Sequence, residues 1–158
     1  MLPGKTLTKE QAIQKLRQYC SYQERCHSEV RDKLFKLGVW KKDHDEIIST
    51  LIEDNYLNEE RFAIQFAGGK FRMKGWGKTK INYELKLKGV SKYCINKALK
   101  DIDEDSYRKT LRQIAEKKYL SLKGERTMMR KKKTAEYLLQ KGYELNLIQS
   151  ILEEISPR

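Results

Sequence analysis

Arg130-Lys131-Lys132-Lys133 is the longest unbroken run of cations in the chain, and Lys70, Arg72, Lys74, Lys78 and Lys80 gather around Gly75-Trp76-Gly77. Guanidinium and ammonium groups in such density donate to phosphate or carboxylate oxygens. Trp76 adds a face on which a nucleobase can stack. Four consecutive helical residues wrap almost once around the axis, so the 130–133 run cannot lie on one face. Lys131 is seven residues before Leu138 and shares its stripe, yet lysine is rarely buried unpaired. That helix end is therefore expected to overhang its packing partners, with Arg126 one turn earlier. Each group also has a plainer reading. The lysines suit a solvated helix face, and Trp76 suits packing between helical units with the glycines permitting a turn.

Other chemistry is poorly represented. Nucleophilic or acid–base catalysis needs a nucleophile, a base and an orienting group brought together, and no GxSxG, HExxH or phosphate-loop pattern occurs. Gly75-Trp76-Gly77-Lys78 is too short for a phosphate loop and follows a helix instead of a strand. A helix beginning near Lys78 is nevertheless expected to offer free N–H groups to one phosphate or carboxylate. Asp101-Ile102-Asp103-Glu104-Asp105 lacks the glycine and distal glutamate of a calcium loop and reads as a helix break with an N-cap. Cys20, Cys26 and Cys94 fit neither a zinc site nor a disulfide framework, and His27 and His44 have no evident partners. No enzymatic activity and no cofactor are expected.

The 158 residues carry 34 basic and 22 acidic side chains, a net charge of +12. Such an excess favours a polyanionic partner. Hydrophobic residues make up 39% and charged residues 35%, a lean core under a heavily solvated surface. Mean hydropathy is −0.80, and no apolar run approaches the roughly 18 residues of a membrane span. Met1–Thr6 has no apolar signal-peptide core, so a cytoplasmic location is expected.

The elements that must position these residues are all helical. Thr8 with Gln11 forms a capping box for a helix to about Cys20 that buries Ile13 and Leu16. A second helix spans about 28–37 and stops at Gly38. Asp43 with Glu46 is expected to cap a third. Asn58 is a good N-cap for a helix near 59–73 with Glu59 and Glu60 at its positive end, and another follows near 78–88. Ser91 caps a sixth. The seventh carries Leu111, Ile114, Ala115 and Leu120 inward, the eighth spans roughly 126–141 and the ninth 145–155.

A repeat underlies this series. Gly38, Gly89 and Gly142 recur at near-equal intervals. Four positions before them stand Leu34, Leu85 and Leu138, and one position after stand Val39, Val90 and Tyr143. Leu51, Ile102 and Ile155 stand thirteen after. The chain is thus read as an all-α, elongated and curved array of three tandem three-helix repeats, at 8–56, 57–102 and 103–156. Each third helix folds back on its second at the glycine.

The stretch Asn55-Tyr56-Leu57-Asn58-Glu59-Glu60-Arg61-Phe62-Ala63, the basic Gly-Trp-Gly segment and Glu84-Leu85-Lys86-Leu87-Lys88-Gly89-Val90 together resemble the signature of the RecX family, bacterial regulators of the RecA recombinase. The rest of the chain is similar in helix layout more than in residue identity. The resemblance implies tandem three-helix units and a non-enzymatic monomer that lies in the groove of the RecA–DNA filament. It implies suppression of ATP hydrolysis, strand exchange and RecA-stimulated repressor cleavage, with DNA, single- or double-stranded, touched only within the filament or directly. The contact residues expected from charge are Lys70, Arg72, Lys74, Trp76, Lys78, Lys80, Arg126, Arg130, Lys131, Lys132 and Lys133. The alternative is a direct DNA- or RNA-binding helical-repeat protein. Its presumed third helices, with Asp45-Glu46 and Glu153-Glu154, are too acidic for a major groove, leaving Ile95-Asn96-Lys97 as the one plausible reader.

Overall fold

A computed structural model describes residues 7–156; the Met1–Thr6 segment lies outside them. Nine helices and no strand occur among the described residues: α1 (Lys9–Tyr22), α2 (His27–Lys36), α3 (Lys41–Glu53), α4 (Glu59–Lys74), α5 (Lys78–Leu87), α6 (Lys92–Lys100), α7 (Glu104–Ser121), α8 (Thr127–Lys141) and α9 (Leu145–Ile155). The helix starts follow the local chemistry. Thr8 accepts from the Gln11 amide while Gln11 returns a bond to the Thr8 amide. Asn58, Ser91 and Asp103 cap α4, α6 and α7 through the amides of Arg61, Cys94 and Ser106.

The repeat is real at the level of single hydrogen bonds. Val39, Val90 and Tyr143 donate their amides to the carbonyls of Leu34, Leu85 and Leu138 at 3.0, 3.1 and 3.1 Å. Gly38, Gly89 and Gly142 donate to the residue three before them, at φ of +75°, +78° and +98°. This is one left-handed helix ending built three times. The three leucines are fully buried. After each turn the next helix packs back on the one before: α3 on α2, α6 on α5, α9 on α8. Every extensively packed helix pair falls inside one of the triplets α1–α3, α4–α6 or α7–α9.

The apolar interior divides unequally. Ala12, Leu16, Val30, Leu34, Ile47 and Leu51 lie in a first core closed by α1–α3. The helices from α4 to α9 share a second, which runs continuously from Phe62 and Ile81 through Tyr107 to Leu138 and Ile148. Small three-helix units bury little alone, and fusing two interiors answers that limit. Cys26, from the α1–α2 connection, belongs to the second core.

Two sequence expectations need correction. Asp43 does not cap α3. The helix starts at Lys41 with Trp40 before it, and Asp43 sits in the first turn, where its charge meets the positive helix end and Lys9 lies 3.7 Å away. Leu120 is not core: it is 67% exposed. The buried stripe of α7 is Tyr107, Leu111, Ala115 and Tyr119, strictly four apart, which turns Leu120 to solvent.

Candidate polyanion interface

The Gly-Trp-Gly segment is a seam between helices. The Gly77 amide donates to the Lys141 carbonyl at 2.8 Å and the Thr79 amide to the Gly142 carbonyl at 2.9 Å. Between them, the Lys78 amide donates to the Tyr107 hydroxyl at 2.8 Å. The start of α5 thus meets the end of α8, so unpaired amides answer unpaired carbonyls. These N–H groups hold protein acceptors and offer no phosphate cradle, contrary to the expectation for a helix beginning at Lys78. Tyr143 adds a bond from its hydroxyl to the Gly75 carbonyl at 2.9 Å, and the Lys141 ammonium caps the Lys74 carbonyl at 2.8 Å. Tyr107 in turn donates to Glu144. Burial, reinforced by that carboxylate bond, holds the Tyr107 hydroxyl well above the usual phenol range, and burial does the same to Tyr143.

The cations singled out by charge fall into four settings. Lys70 and Lys80 flank the half-buried Trp76, 5.0 and 4.5 Å from its ring centre, and Phe66 meets the indole edge-on. Three further cations are engaged. Lys78 lies over Tyr107 and 3.4 Å from Glu104. Lys133 pairs with Glu125 at 2.6 Å. Arg130 stacks 3.8 Å from the Tyr119 ring centre and donates twice to the Tyr119 carbonyl, at 2.7 and 3.2 Å, closing the end of α7. Arg126, Lys131 and Lys132 lie on the outer start of α8, where no side chain before Thr134 is buried.

Arg72 and Lys74 form the fourth setting, and here the structure brings in cations from a distant part of the chain. They line a hollow of about 720 Å³ together with Lys117, Lys118 and Lys141. Its apolar wall includes Phe71 and Ile114, and Ser106, Thr110 and Ser121 add hydroxyls. No carboxylate lines it among the described residues. A second hollow of about 730 Å³ shares Lys118 and Tyr137 with the first and is also lined by Lys133 and Glu136. The sequence did not signal this assembly, because the pairing of α4 with α7 and α8 is tertiary. Among the described residues, no cluster of histidine, cysteine or acidic side chains suits a metal ion.

Comparison with known proteins fits the same architecture. Residues 58–99 match the model of the second three-helix domain of RecX, and residues 105–152 match that of the third, together over half of the chain. The chain belongs to the RecX family. Proteins named regulatory protein RecX from Bacillus thuringiensis (strain Al Hakam) and Bacillus mycoides (strain KBAB4) are 32% and 31% identical to it over 137 residues. Those alignments cover 87% of this chain and 51% of each relative, so the chain spans about half the length of these curated relatives. The crystal structure of RecX from Lactobacillus salivarius superposes with a TM-score of 0.85 at 24% identity, covering 93% of this chain and 96% of that one. A second crystal structure, of a regulatory protein RecX, gives 0.82 at 19% identity, covering 97% and 81%. The curated relatives carry the name regulatory protein. Among the described residues, no helix is long and apolar enough to cross a membrane.

Proposed function

We propose that the chain is a non-enzymatic regulator that binds the RecA–DNA filament and lowers its ATPase, strand-exchange and coprotease activities. Membership of the RecX family is the observation that carries this reading. The physical chemistry supports it. Three units, divided at 8–56, 57–102 and 103–156, supply several modest contacts whose affinities multiply through effective concentration. A net charge of +12 favours a filament that carries nucleic acid and makes binding salt-sensitive. The protein acts in the cytoplasm as a monomer and leaves ATP and magnesium to the recombinase.

The test is RecA's DNA-dependent ATPase titrated with this protein. Inhibition at substoichiometric ratios is the expected outcome. An ATPase and strand exchange untouched at saturation would refute the reading. Equal affinity for naked DNA and for the filament would favour the alternative, a direct DNA-binding helical-repeat protein with another role.

A further inference from the structure

We infer that the groove between α4, α7 and α8 is a binding track for single-stranded nucleic acid. The proposal deepens the regulatory reading, and rests on it only for the strand's biological setting. Two observations converge. Arg72, Lys74, Lys117, Lys118 and Lys141 come from three helices to line one hollow without a carboxylate among them. Arg72, Lys74, Lys117 and Lys118 form no ion pair among the described residues, whereas Lys78 and Lys133 do. Like charges gathered without counter-charges repel one another, so the arrangement is relieved by an incoming anion.

The shape selects the kind of anion. The first hollow shares Lys118 and Tyr137 with the second, so it opens along the surface instead of closing as a cup, with the unpaired cations concentrated in the first. A linear polyanion fills a path, while a free nucleotide fills only one part of it. A duplex offers such a hollow only a phosphate ridge and keeps its bases stacked inside, whereas one strand offers phosphates to the cations and a base to Tyr137. Of the hydroxyls on its wall, Ser106 and Ser121 donate to Asp103 and to the Lys118 carbonyl, which leaves Thr110 as the neutral donor for a phosphate oxygen beside the cations. Tyr137 stands where the two hollows meet, with Lys118 4.9 Å from its ring centre. An aromatic ring beside a cationic groove is how strands are held without regard to sequence. Glu136 and the Glu125-paired Lys133 line the second hollow, so the attraction weakens there.

The experiment needs no recombinase. Fluorescence anisotropy with a labelled oligothymidylate is measured on the full chain, on R72E/K117E, and on the control K41E/K42E, which changes net charge equally on α3. Both pairs are exposed in the fold, and circular dichroism checks that helicity is kept. Wild type is expected to bind with a salt dependence of about 0.7 per phosphate contact. The groove variant should bind at least about tenfold more weakly, with a slope shallower by roughly 1.4, and the control should stay within about twofold of wild type, since phosphate contacts that carry affinity are local. The proposal is overturned if wild type does not bind the oligomer, or if both variants lose affinity alike. It is equally overturned if poly-glutamate or free ATP displaces the oligomer at matched charge. Groove-specific loss with no effect of the protein on RecA would leave this track standing and remove the filament reading. Inhibition of RecA with no oligomer binding would do the reverse.

Discussion

A Cβ placed on Gly77 would lie 2.4 Å from both the carbonyl carbon and the carbonyl oxygen of Gly142. Backbone meets backbone there, so nothing flexible can move aside. Gly142 is equally constrained: its own Cβ would fall 2.3 Å from the Lys80 Cβ, and its φ is +98°.

Gly77→Ala should therefore destabilise the protein by about 1–3 kcal/mol, the usual range for overpacking. Gly69→Ala is the matched comparison. It lies inside α4 with nothing within 4 Å of the added carbon, so it should gain about 0.5–1 kcal/mol from helix propensity. Urea unfolding of the two variants reads both signs. Equal effects would mean that the seam does not close as described.

The buried phenols predict alkaline behaviour. Tyr107 and Tyr143 have hydroxyl pKa values raised above the ordinary 10.0. Neutral phenol is thus favoured in the fold. The associated stability is fully present below pH 10 and is lost as pH rises through the raised values. In a spectrophotometric titration these two of the nine tyrosines should ionise only with unfolding. Tyr107→Phe leaves the Lys78 amide and Glu144 without their shared partner and should cost about 1–3 kcal/mol at neutral pH.

Arg130 and Lys132 are neighbours in sequence with different roles. Arg130→Ala removes two bonds to the Tyr119 carbonyl and a stacked ring, and a loss of about 1–3 kcal/mol follows from charge-assisted bonding. Lys132→Ala, on the exposed face, should stay within about 0.5 kcal/mol. Thermal melts distinguish them. A binding test on this segment is cleaner with Lys131 and Lys132 alone, because reversing Arg130 also disturbs the α7–α8 turn.

The three thiols should be slow to react. Cys20, Cys26 and Cys94 are free and buried. Burial pushes Cys20 up to about 11 and raises the other two, which suppresses the thiolate that attacks. Labelling with an aromatic disulfide at pH 8 should proceed at the rate of unfolding. A fast phase of one equivalent would contradict the packing around that thiol.

Much of the fold was legible in the sequence because its information is local. Caps at Thr8, Asn58, Ser91 and Asp103, and the spacing from Leu34 to Gly38 and from Leu138 to Gly142, operate within one or two turns. What escaped was long-range. Tyr107 and Tyr119 complete a four-residue period with Leu111 and Ala115, yet a tyrosine reads equally as surface, so Leu120 looked apolar enough to take the place. The seam at Gly77 is made of main-chain atoms, which leave no side-chain pattern. Arg72, Lys74, Lys117, Lys118 and Lys141 look like ordinary helix-surface charge until tertiary packing gathers them. Lys78 and Arg130 looked available and are engaged, because their partners Glu104 and Tyr119 become neighbours only after folding.

The two joints of the molecule are built from different materials. Between α1–α3 and α4–α6, side chains make the bridges: Arg61 to Glu24, Lys88 to Glu29, and the Ser28 hydroxyl to the Lys88 carbonyl. Between α5 and α8 the polypeptide itself is the fastener. A bridge of side chains can be rewritten one substitution at a time, and its angle retuned. A fastener of peptide groups admits no added side chain at Gly77 or Gly142 and no change in spacing. One residue inserted between Gly75 and Thr79 would unlatch it, whereas the same insertion near Gly124 would lengthen a turn and leave the latch shut.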